Sequence, residues 1–174
     1  MLKKHIESLV RVQTSLNRNI EKGIILDRNE RVDVFDKTTF KKIIKSISKY
    51  SLSATPDITS LYERIAKYHG LKRNNIYITQ GITECISHII FSILNKSDEV
   101  IILNPTYPMY KILCKLHNTQ YKLWKFNKKF KLDINDLKKL ITKKTKILFL
   151  VNPNLPIEYE LSEVQKNEIY KICK

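Results

Sequence analysis

Apolar positions recur along this chain in two rhythms, and the change between them divides the sequence. Residues 2–16 and 38–50 carry apolar side chains at helical spacing; in the second stretch Phe40, Ile43, Ile44 and Ile47 share one stripe. Both read as amphipathic helices. Between them, Ile24-Ile25-Leu26 forms a short apolar patch ahead of Asp27-Arg28-Asn29-Glu30. Pro56 opens a third helix over 57–69, with Leu61, Ile65 and Tyr68 on one face and Gly70 as its stop. From residue 76 the rhythm shortens. Ile76-Tyr77-Ile78-Thr79 predicts a strand, 82–94 a strongly apolar helix, Glu99 to Leu103 a second strand and 108–117 a helix. Tyr121 to Phe126 predicts a third strand, 134–141 a helix, Lys146 to Val151 a fourth strand, and about 162 to the end a last helix. No terminator follows Glu163 to Lys174, so that stretch reads as cut in mid-element.

Strands alternating with helices need crossover connections, which build a mainly parallel sheet covered by helices on both faces. The expected fold class is therefore α/β, with an N-terminal helical arm leading into the sheet. Ile147-Leu148-Phe149-Leu150-Val151 is continuously apolar, as a doubly covered central strand should be. No repeat, low-complexity tract or linker interrupts the pattern.

Composition narrows the function classes. With 174 residues the chain is long enough to bury a core, and 43% apolar against 28% charged residues is a globular balance. Only 3 glycines occur, Gly23, Gly70 and Gly81, which excludes a multi-glycine phosphate loop. No apolar run approaches the roughly 20 residues of a membrane span, and Lys3, Lys4, Glu7, Arg11 and Arg18 interrupt any secretory signal. Cys85, Cys114 and Cys173 are odd in number and widely spaced, which fits free thiols in a reducing cytoplasm. The four histidines show no metal-ligand spacing. The net charge of +15 comes from 32 Lys and Arg against 17 Asp and Glu. It is almost all lysine and spread along the chain, which reads as a solvated surface rather than a nucleic-acid footprint.

Three junctions carry candidate chemistry. At Thr79-Gln80-Gly81-Ile82-Thr83-Glu84 a strand gives way to a helix through a glycine. Free N–H groups at a helix start attract phosphate, Thr83 adds a hydroxyl, and Glu84 can cap. Asn104-Pro105-Thr106-Tyr107-Pro108-Met109-Tyr110 follows the next strand, at the carboxyl edge where open α/β sheets bind ligands. Its prolines fix Tyr107, which can stack on a flat ring or simply pack. Asn152-Pro153-Asn154-Leu155-Pro156 follows the fourth strand; its asparagines are turn residues or hydrogen-bond donors to a ligand.

In order and spacing these segments, with Asp98 to Ile102, Leu132-Asp133, Lys144-Thr145-Lys146 and the opening Leu26-Asp27-Arg28-Asn29-Glu30, resemble pyridoxal-phosphate-dependent aminotransferases. The likeness is to class I/II, fold type I enzymes of the histidinol-phosphate aminotransferase branch, over roughly residues 24–174. It implies pyridoxal 5'-phosphate as cofactor. It implies that Gly81, Ile82 and Thr83 bind the cofactor phosphate, that Tyr107 stacks on the pyridine ring, and that Asn29 and Glu30 run near the substrate mouth. It further implies amino transfer between an amino acid or amine and a 2-oxo acid by a cytoplasmic homodimer. On this resemblance residues 1–50 are the N-terminal arm and helices, and 51–174 the first part of the cofactor-binding large domain, truncated at its C-terminal side.

Three departures stand against the family pattern. Leu155 replaces the asparagine that bonds the cofactor's ring oxygen, and leucine makes no such bond. Thr55 stands where the family tends to have a tyrosine reaching the partner subunit's cofactor phosphate. The Schiff-base lysine, the aspartate facing the pyridine nitrogen and the carboxylate-clamping arginine all lie further toward the C-terminus in the family. The expectation is thus a fragment of an aminotransferase with no catalytic residue of its own. A degenerate, non-catalytic interaction or regulatory module is the alternative, and a basic nucleic-acid binder the third reading.

Overall fold

The computed structural model describes residues 3–7, 9, 31 and 33–174. Its contacts gather into two units, one of Met1–Arg11 with Thr79–Lys174 and one of Val12–Ile78. Lys4–Glu7 forms helix α1. Most of the rest of the helix expected over 2–16, the patch at 24–26, and Asn29 and Glu30 lie outside the described residues.

In the second unit, α2 spans Lys37–Ser46. The Asp36 carboxylate starts it by accepting from the amides of Thr38 and Thr39, each at 2.9 Å. It ends short of the expected residue 50 because serines take over backbone bonding: Ser46 Oγ donates to the Ile43 carbonyl at 2.6 Å and the Ser48 amide donates to Ser51 Oγ at 3.0 Å. Helix α3 spans Thr59–Tyr68 and stops, as expected, at Gly70, whose φ of +64° is the left-handed conformation glycine tolerates. The strand expected at Ile76–Thr79 is absent. A 3₁₀ turn at Arg73–Asn75 leads into extended backbone, but no neighbouring strand offers a ladder among the described residues, and the Ile78 amide donates instead to the Tyr62 hydroxyl at 3.3 Å.

The first unit is three layers. Helix α4 (Ile82–Ile93), strand β1 (Glu99–Asn104), helix α5 (Met109–Leu116), strand β2 (Gln120–Lys125), helix α6 (Ile134–Leu140), strand β3 (Thr145–Phe149) and helix α7 (Glu163–Ile172) follow in chain order. The three strands are parallel in the order β2-β1-β3. Alternation along β1 builds both cores. Val100 and Ile102 pack with Ile86 and Ile90 of α4 and Leu113 and Cys114 of α5. Ile101 and Leu103 pack on the other face with Trp124, Leu137 of α6 and Ile169 of α7.

Among the described residues the apolar run at 147–151 is paired on one side only, to β1. β1 is in the middle, and β3 ends at Phe149, where its pairing with Ile102 stops. Continuous apolarity marks coverage of both faces, which β1 and β3 share, since Ile147 and Leu148 enter opposite cores. It does not reveal lateral neighbours.

Candidate functional site

The chain turns into α4 through Gly81, at φ +86° and ψ 176°. That region belongs essentially to glycine. A side chain built there would meet nothing within 4 Å, so the approach to the turn is open. Thr79 Oγ1 donates to the Gly81 carbonyl at 3.0 Å, and the Cys85 amide donates to the same oxygen at 3.3 Å. No side chain caps the start of α4. Glu84, expected as a cap, instead accepts from the Gln80 amide, one residue before the turn, and lies 3.8 Å from His88. The amides of Ile82 and Thr83 therefore keep their free N–H groups at the positive end of a helix. Ile82 is exposed and Thr83 half-buried.

Tyr107 sits in the turn after β1 and is 40% exposed. Its hydroxyl lies 3.2 Å from Thr83 Oγ1. The Tyr107 and Tyr110 rings meet in a T-shaped contact, 6.2 Å between centroids and 89° between planes, and Tyr110 rests on Phe149 at 4.9 Å. Burial, with Cys85 and Tyr107 nearby, raises the Tyr110 hydroxyl above its ordinary value, so it stays protonated. One turn down α4, Ser87 Oγ lies 2.7 Å from His117 Nε2, which ties α4 to the end of α5. Burial pushes His117 down, favouring the neutral imidazole that can accept from the serine.

Of the asparagines after β3, Asn154 turns inward and Asn152 is exposed. Asn154 is fully buried, donates its Nδ2 to the Pro105 carbonyl at 3.0 Å and pairs in an antiparallel bridge with Tyr159. Asn152 Oδ1 accepts from the Leu161 amide at 2.8 Å. Both are thus turn residues, and Asn154 braces the Tyr107 loop from below. Leu155 is 46% exposed and offers no polar atom on its side chain. Lys111 donates to Asn104 Oδ1 at the carboxyl end of β1.

The structure thus joins two of the sequence-derived segments, Gly81–Thr83 and Tyr107, and leaves Asn29 and Glu30 outside its description. Sequence reasoning missed the Thr83–Tyr107 contact and the Asn154 brace; both are tertiary, and no local signal announces them. The donor set of two free amides and the Thr83 hydroxyl, with the turn open above it, fits a phosphate group. A cavity of about 440 Å³ lies elsewhere, at the amino end of β2, walled by His5, Lys115, Asn118 and Gln120. It borders the carbonyl end of α5, where Leu116 O lies 3.3 Å from His5 Nε2. Among the described residues no group of three metal-ligating side chains occurs, and no helix is long and apolar enough to cross a membrane.

Residues 23–174 match the sequence profile of the family described as Aminotransferase class I and II. Histidinol-phosphate aminotransferase of Methanococcus aeolicus is 31% identical over 164 residues, 92% of this chain and 43% of that protein. The enzyme of the same name from Thermoanaerobacter sp. (strain X514) is 29% identical over 97% of this chain and 50% of its own length. The chain thus spans half or less of these two relatives. Alanine aminotransferase from Pyrococcus furiosus superposes with a TM-score of 0.61 over 76% of this chain and 35% of its own, at 25% identity. Cystalysin from Treponema denticola, whose crystal structure contains pyridoxal 5'-phosphate, gives 0.63 over 76% and 35% at 19% identity, a likeness of fold. None of these matches points to a nucleic-acid binder or a non-catalytic module.

Proposed function

The chain belongs to the class I and II aminotransferases, and on that premise we propose that Gly81, Ile82, Thr83 and Tyr107 hold pyridoxal 5'-phosphate for amino transfer between an amino acid or amine and a 2-oxo acid. The observation that carries the reading is the 3.2 Å contact between Thr83 and Tyr107, which brings a phosphate cup and an aromatic face to one place. Gly81 turns the chain into α4, and the amides of Ile82 and Thr83 would donate to the phosphate. Tyr107, braced through Tyr110 and Phe149, offers a fixed face to a flat ring. When bound, the cofactor supplies the electron sink for the transfer. Leu155 makes no hydrogen bond to its ring.

The remaining features rest on the resemblance. Asn29 and Glu30 are assigned to the substrate mouth. Histidinol phosphate, named in the relatives, is the first amino substrate to test. The lysine that carries the cofactor is assigned to sequence outside these 174 residues, in keeping with the coverage of the relatives and with Lys111 being held by Asn104. A homodimer is the proposed assembly. The cytoplasm is the proposed compartment, in keeping with three unpaired cysteines.

Equilibrium dialysis against pyridoxal 5'-phosphate tests the site. Hydrogen bonds to a charged group contribute about 1.5–3 kcal/mol each, stacking adds about 0.5–1.5 kcal/mol, and association takes several back. Reversible binding in the roughly millimolar to high-micromolar range is expected. The Thr83→Ala, Tyr107→Ala double substitution should abolish it, and unchanged binding in that variant would refute the site. A borohydride-trapped adduct at one lysine that vanishes with the same substitutions would place the cofactor's lysine within this chain instead.

A further inference from the structure

Tyr107 has a part that stacking does not use. A phenylalanine offers the same ring face, yet the Tyr107 hydroxyl is the group that reaches α4, 3.2 Å from Thr83 Oγ1. The rest of the residue is held apolarly or through backbone. The ring makes a T-shaped contact with Tyr110, Tyr110 rests on Phe149 in the core, and the loop beneath is pinned by Asn154 through the Pro105 carbonyl. Among the described residues the Thr83 hydroxyl is the polar partner at the free end of the ring.

We propose that the Tyr107 hydroxyl is a positioning group that couples the aromatic face to the phosphate cup through Thr83. The inference rests on the cofactor reading above and deepens it. A threonine hydroxyl has one hydrogen and two lone pairs. With no anion at the α4 start, either hydroxyl can donate to the other. With an anion there, the Thr83 hydrogen goes to an anion oxygen, and Thr83 is left to accept from Tyr107. The result is a directed chain, Tyr107 O–H to Thr83 O–H to anion, in which each bond polarises the next. The ring then holds its place best when the cup is filled. A ligand that carries both a flat ring and a phosphate gains from the coupling; a ring without phosphate does not.

The test compares pyridoxal 5'-phosphate with pyridoxal by equilibrium dialysis on the purified protein. Tyr107→Phe keeps the ring and removes the hydroxyl. It should weaken the phosphorylated ligand about five-fold, the scale of one lost hydrogen bond, and leave pyridoxal unchanged. Thr83→Val combined with Tyr107→Phe should bind no more weakly than Thr83→Val alone, whereas Thr83→Ser, which keeps a hydroxyl, should preserve the sensitivity to Tyr107→Phe. If Tyr107→Phe binds both ligands like the parent while Tyr107→Ala weakens them, the coupling is wrong and the cofactor site stands. If the two substitutions add independently, the coupling is equally wrong. If Tyr107→Ala is silent, the cofactor site itself fails and the coupling with it.

Discussion

Replacing Glu99 by glutamine should expose the main electrostatic support of the sheet. Glu99 opens β1 with its side chain only 11% exposed. One carboxylate oxygen accepts from Lys122 Nζ at 2.8 Å, Thr142 Oγ1 at 2.6 Å and Thr145 Oγ1 at 2.8 Å. The cluster thereby joins β1 to β2 and to the start of β3. Burial pushes the carboxyl up, but the hydrogen bonds from Lys122, Thr142 and Thr145 and the Lys122 charge outweigh it and bring it from 4.5 to about 2. A lowering of that size corresponds to about 3 kcal/mol of folding stability. Because the folded value is depressed, this stability is present in full above about pH 4.5 and drains as pH falls toward 2. Glutamine keeps the shape and one acceptor but leaves the Lys122 ammonium, one-third exposed, without its counter-charge. The expected loss at pH 7 is about 2 kcal/mol, below the cost of breaking a fully buried pair because water reaches the lysine. Urea unfolding followed by the fluorescence of Trp124, the single tryptophan and fully buried, reads it directly. The difference between parent and variant should shrink as pH drops from 5 to 2. Parallel stability curves over that range would refute the assignment, since carboxylates common to both proteins cancel in the difference.

Other perturbations should sort by mechanism. Gly81→Ala should lower stability by about 1–3 kcal/mol through backbone strain alone, because no atom blocks the added methyl, and urea titration measures it. Asn154→Ala should cost about 1–3 kcal/mol by leaving the Pro105 carbonyl unpaired, and should speed amide exchange in residues 104–110. Thiol labelling at pH 8 should spare Cys114, which is buried and pushed up to about 12, until the protein unfolds; exposed Cys173 should react in the native state.

Much of the fold is legible in the chain because local and global signals agree there. Gly70 and Gly81, two of only three glycines, mark two positive-φ positions at a helix end and a helix start. Glu99 to Leu103 reads as a strand and is one, with Val100 to Leu103 fully buried. Lateral order is a different kind of information. Nothing in Ile147-Leu148-Phe149 distinguishes an edge from a centre, and nothing in Ile76 to Thr79 says whether a partner strand exists. Glu99 hides for a similar reason. A glutamate at a strand start looks solvated until Lys122, Thr142 and Thr145 are brought to it from 23, 43 and 46 residues away. In the candidate site, residue types pointed to Thr83 and Tyr107 separately, while their meeting across 24 residues is tertiary.

The order β2-β1-β3 also sets a timetable for synthesis. The strand that occupies the middle leaves the ribosome first, and its partners follow at increasing delay: Val100 pairs with Tyr121 and then with Ile147. Until Thr145–Phe149 has emerged, β1 has one ladder of its two, and its most apolar residues lack part of their cover. Parallel pairs of this separation close slowly. A nascent chain is therefore exposed to misassociation for the time taken to make α6 and the residues beyond it. Synonymous codons that slow translation between β2 and β3 should lengthen that exposure and lower the soluble yield without altering a single residue of the finished protein.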